Sequence, residues 1–118
     1  GRKQAEYIGE FFRNKKIKIY KVLSSEWCRC KETAQIAFKN FSTNSFLNSF
    51  YSSKFAKNKN KQIDALNNYI NKFKSNKNLV FITHYVLISE VLNYAPSSGE
   101  IVVSDKNFNI IGTIETNY

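Results

Sequence analysis

The chain holds one histidine, His84, and three arginines, and two of these cations share a local pattern. Arg29 stands a few residues beyond the β-rich run that ends at Leu23-Ser24-Ser25, and His84 closes the apolar run Leu79-Val80-Phe81-Ile82-Thr83. An arginine one turn past a strand end can reach back over it and offer a planar fork of donors to a phosphate, which lysine cannot match. A histidine at the mouth of a strand is partly desolvated and close to neighbouring charge, which can tune its protonation near neutral pH. Taken singly, each has a plainer reading. Arg29 can pair with Glu26 or Glu32 on the surface, and a lone histidine is more often packed than catalytic. Taken together, they outline an anion pocket.

The other reactive residues point elsewhere. Cys28 and Cys30 are too close for the usual zinc or redox spacing, and no second cysteine pair completes a tetrahedral site. On a helix their side chains diverge by about 200°, which disfavours a disulfide between them. Free, packed thiols and no metal are expected. The net charge of +9 invites a nucleic-acid reading. Against it, lysine outnumbers arginine 15 to 3 and is accompanied by 15 asparagines and 12 isoleucines, the mix produced by an AT-rich coding sequence. The densest cluster, Lys54 to Lys61, has no arginine and only Phe55 as a stacking aromatic, which argues against nucleic acid as the partner.

The elements that must position Arg29 and His84 follow from periodicity. Ala5, Ile8, Phe11 and Phe12 mark an amphipathic helix over residues 1–14. Ile17, Ile19 and Val22-Leu23 form a strand ending at Ser24-Ser25, and a helix runs from about Glu26 to Lys39 with Trp27, Thr33-Ala34 and Ala37-Phe38 facing inward. Residues 40–62, rich in serine, asparagine and lysine, read as a surface insertion with a short helix. Ile63, Leu66, Tyr69-Ile70 and Phe73 mark a third long helix, Leu79 to Thr83 a buried strand, and Val86 to Leu92 a short helix. Ile101-Val102-Val103 and Ile110 to Ile114 read as two final strands joined near Asp105-Lys106-Asn107. Strands alternating with helices imply one α/β domain over 1–118, a three-layer sandwich with a mostly parallel sheet flanked by helices. Ligands collect at the C-terminal ends of such strands, where Ser24-Ser25 and His84 both lie.

The segments SSEWCRCKETA (24–34), VFITH (80–84), SSGEIVV (97–103) and GRKQAEYIGEFF (1–12) resemble, in that order, four parts of the histidine phosphatase superfamily, the phosphoglycerate-mutase-like fold. The resemblance implies that Arg29 and His84 are the phosphate-binding arginine and the second histidine, both catalytic. Ser25 joins them in the phosphate-binding set, although Ser24 and Ser25 also suit helix capping. It implies a small phosphorylated substrate, no cofactor, and hydrolysis of a phosphomonoester through a phosphohistidine. The family's nucleophile sits in an Arg-His-Gly motif, which this sequence lacks. The fold is therefore expected to be incomplete at the N-terminus by roughly 30 to 60 residues, the chain alone to be inactive, and unpaired sheet edges to favour self-association.

Two departures bear on the chemistry. Tyr85 occupies the position where the acid phosphatase branch has its proton-donating aspartate, and no Asp or Glu occurs between Glu32 and Asp64, where the mutase branch places its acid. The leaving-group acid is unassigned, which favours a phosphatase over a mutase, or a substrate whose leaving group departs without help. Two other functions fit the sequence: a non-catalytic basic binding module built on Lys54 to Lys61, and a phosphate-binding pseudoenzyme.

Overall fold

The computed structural model describes residues 1–116, with the side chain of Ser53 set aside. The elements, in chain order, are α1 (Arg2–Asn14), β1 (Ile19–Ser24), α2 (Cys28–Phe38), β2 (Ser42–Thr43), a 3-10 turn (Ser45–Leu47), α3 (Ser53–Ala56), α4 (Lys59–Lys72), β3 (Asn78–Ile82), α5 (Tyr85–Leu92), β4 (Ile101–Ser104) and β5 (Ile110–Ile114). The chain is an α/β domain around a three-stranded parallel sheet of order β2-β1-β3. Every helix and strand expected from periodicity is present, with ends shifted by a few residues.

β1 is the central strand, and its burial shows it. Val22, Leu23 and Ser24 are consecutive and all buried, and successive strand residues face opposite sides, so both faces of β1 are covered. On one face, Leu23 joins a core with Phe46, Leu47, Phe50, Leu66, Ile70 and Leu87. Elsewhere α1 packs on α2 through small residues. Ala5, Gly9, Ala34 and Ala37 are buried there, and a Cβ on Gly9 would lie 2.4 Å from the Ala37 carbonyl oxygen. Only glycine permits that approach of the two helices.

Three expectations need correction. Residues 40–62 are not a peripheral insertion: β2 extends the sheet, Phe46 and Leu47 are buried, and Phe46 packs against Tyr69 and Phe81 with ring centroids 5.6 and 6.3 Å apart. The polar residues that suggested a surface loop are there, but the recurring apolar ones decide where the segment lies. β3 is half-buried rather than fully enclosed, because the sheet ends at β3 among the described residues. The last two strands do form a hairpin, yet β4 and β5 make a separate antiparallel sheet instead of continuing the parallel one. Their turn is held by Asp105 Oδ1, which accepts from the backbone N–H of Asn107 and Asn109 at 2.9 and 3.0 Å. No helix among the described residues is long and apolar enough to cross a membrane.

Candidate functional site

The parallel pairing of β1 with β3 sets Ser24 opposite Ile82, so the two strands end side by side. One further bond, from the Ser25 N–H to the Ile82 carbonyl at 2.9 Å, carries the pairing past the end of β1. Beyond it the chain turns into α2 on one side and α5 on the other, and both helices begin next to the strand ends that feed them. Their N-terminal N–H groups give this end of the sheet a positive potential. Thr83 Oγ1 donates to the Leu47 carbonyl at 2.5 Å, tying the end of β3 to the loop after β2.

Ser25 is fully buried, and its hydroxyl sits at the centre of a small network. It accepts from the Trp27 N–H at 3.1 Å in a tight turn just before α2, whose N-cap is Trp27 rather than the expected serine, and lies 3.1 Å from Asn48 Oδ1 and 2.9 Å from His84 Nε2. Asn48 fixes the direction of these bonds. Its Nδ2 donates to Glu26 Oε1 at 2.9 Å, and its Oδ1 accepts from the Glu26 N–H at 2.8 Å. An amide oxygen carries no proton, so the Ser25 hydroxyl must donate to Asn48, and His84 Nε2 must donate to Ser25. In the neutral ring, that leaves Nδ1 as the nitrogen with a lone pair and no partner in this network.

His84 is half-buried, and burial, followed by the positive charge of Arg29, holds its pKa below the usual imidazole value of 6.5. The buried Cys30 lies 3.7 Å from His84 Nε2 through its sulfur. Burial pushes its thiol up, with the charge of Arg29 acting in the opposite direction. Arg29 is exposed on the first turn of α2, and its carbonyl accepts from Thr33 Oγ1 at 3.2 Å. Arg29 precedes Cys30 on that turn, and the Cys30 contact sets the first turn of α2 beside the imidazole.

Two of the three residues singled out in the sequence, Arg29 and His84, stand on segments that leave the same end of the sheet. The third occupies a different place: Ser25, expected to touch the phosphate, is enclosed with its hydroxyl committed to Asn48, Trp27 and His84, so it supports the imidazole from behind. Trp27 was expected in the core but is 41% exposed. Its ring centroid lies 4.8 Å from that of His84 and 5.8 Å from that of Phe55, both edge-to-face, and Lys54 Nζ stands 5.5 Å from the Phe55 centroid. Sequence reasoning missed Asn48. The available signal was its place between Phe46-Leu47 and Phe50, since a polar side chain flanked by buried anchors is held close to whatever those anchors cover.

No protein-family model matches the sequence, and no curated protein matches it. Among solved structures, the chain is similar to the product of open reading frame Rv3214 from Mycobacterium tuberculosis, with a TM-score of 0.56 and 16% sequence identity. The match covers 80% of this chain but 66% of that one, so the chain spans a little under two-thirds of its structural relative. At this identity the likeness concerns the fold.

Proposed function

We propose that this chain supplies the phosphoryl-binding part of a histidine-phosphatase-type hydrolase acting on a small phosphomonoester. The observation that supports this most is the first turn of α2, which carries Arg29, lying beside His84 through the Cys30 contact, with His84 Nε2 engaged by Ser25 and Nδ1 without a partner in that network. The arginine offers paired N–H donors to non-bridging phosphoryl oxygens. His84, once protonated at Nδ1, offers another donor and a positive charge to the oxygens as charge builds in the transition state. The phosphohistidine forms on a histidine that this sequence does not contain. That nitrogen attacks phosphorus, the ester P–O bond breaks with its electron pair leaving on the alcohol oxygen, and water then cleaves the P–N bond to release phosphate. The proposed frame is a phosphoglycerate-mutase-like three-layer sandwich in which the half-exposed β3 is flanked by a strand from outside this sequence.

Calorimetric titration with inorganic phosphate and orthovanadate tests the reading. Both anions should bind the 118-residue chain, and Arg29→Ala and His84→Ala should each abolish measurable binding. The chain alone should hydrolyse no aryl phosphate. Equal anion binding by the parent chain and both variants would refute the assignment of the site.

A further inference from the structure

Trp27 is the only tryptophan of the chain, and it stands half in water beside the only histidine. A large apolar side chain is stabilised by burial, and this one leaves much of that gain unrealised at the mouth of the anion site. Behind it stands Phe55, and Lys54 lies over the Phe55 ring, so an aromatic wall with a cation at its outer end adjoins the imidazole. A group esterified to a phosphate held by Arg29 and His84 would meet this wall.

A separate observation concerns the bond that must break. The sequence from Thr33 to Ile63 carries no carboxylate, and Glu26, the one carboxylate in the Ser25–Asn48 network, accepts the Asn48 amide N–H. An alkoxide is about as basic as hydroxide and needs a proton donor to leave. A phenolate, with a conjugate acid near a pKa of about 10, leaves with its electron pair on oxygen and takes its proton from water afterwards.

We propose that the site selects phosphomonoesters of planar aromatic alcohols, with the Trp27–Phe55 wall holding the ring. The proposal rests on the phosphoryl-site reading above and adds the class of leaving group. It is tested on the 118-residue chain by following the His84 ring by NMR while adding inorganic phosphate, ethyl phosphate or phenyl phosphate. Trp27 fluorescence provides a second single-site signal.

Phenyl phosphate should bind about tenfold more tightly than ethyl phosphate, as expected for one ring stacked on an aromatic side chain, and should change the Trp27 emission. Phe55→Leu, which keeps an apolar side chain against the core, should reduce that ratio, and Trp27→Leu should bring it close to one. If phosphate and ethyl phosphate bind but phenyl phosphate binds no better, the aromatic preference is wrong and the phosphoryl site stands. If none of the three anions perturbs His84, both readings fall.

Discussion

The inner and outer halves of the site are built on opposite principles. Inside, Ser25 and Cys30 are buried, and every buried side-chain polar atom among the described residues has a hydrogen-bond partner. Outside, Arg29, Trp27 and Lys54 are exposed and make few polar contacts with the rest of the chain. A satisfied buried network fixes geometry and has nothing left to offer a ligand. An exposed cation and an exposed ring cost little to keep free and can meet a ligand directly. His84 joins the halves, with one nitrogen committed inward and the other outside the Ser25 network. On the proposed reading, the division separates residues that position from residues that bind.

Substitutions at the junction and on the rim should have the largest effect on anion affinity. His84→Ala removes the only group shared by both halves, and Arg29→Lys keeps the charge but loses the fork. We expect anion binding to vanish in the first and to weaken about tenfold or more in the second, measured by calorimetry. Wild-type affinity in Arg29→Lys would mean that the site reads charge alone.

The inner half should respond differently. Asn48→Ala leaves the Glu26 N–H and the Ser25 hydroxyl without their acceptor, so the chain should lose about 1–3 kcal/mol of stability in denaturant melts. The Ser25 proton can then turn toward His84 Nε2, and the ring should shift toward the Nδ1–H tautomer. The nitrogen-15 shifts of this single histidine report that change, which a loss of packing alone would not produce. A pure Nε2–H ring in Asn48→Ala would break the proposed link between Asn48 and His84.

The titration of His84 gives a smaller effect with a definite sign. Because its folded pKa lies below 6.5, the folded chain binds the proton less readily than the unfolded chain. This contribution to stability is complete above pH 6.5, declines as pH falls through the interval down to the folded value, and should disappear in His84→Gln. Thermal melts across pH 5 to 7.5 (roughly the range in which histidine titrates) would reveal it. The smallest effect on the site should come from Gly9→Ala. Its Cβ would collide with the Ala37 carbonyl, costing about 1–3 kcal/mol of stability while leaving anion affinity nearly unchanged, because the strain falls between α1 and α2.

Much of this arrangement was legible before any coordinates. The apolar residues of β1 and β3 give way to polar ones, and Arg29 and His84 sit just past those points, so parallel pairing of the two strands brings their positions to one end of the sheet. Three features were not legible. Residues 40–62 look like a loop by composition, and only long-range packing of Phe46, Leu47 and Phe50 shows that they line the core and deliver Asn48. Trp27 has the residue type of a core anchor, but as the cap of α2 it sits where the helix has not yet turned inward. The exposure of β3 and the separation of the β4–β5 hairpin depend on which strands stand beside them, and periodicity within a strand carries no information about its neighbours.

The account depends most on Arg29 and His84 acting on one bound phosphoryl group. The direct test follows the His84 ring by NMR through a pH titration, with and without saturating phosphate, in the parent chain and in Arg29→Ala. Bound phosphate should raise the His84 midpoint, because the dianion stabilises the imidazolium, and Arg29→Ala should greatly weaken the phosphate dependence. A His84 titration that is identical with and without phosphate would contradict the account.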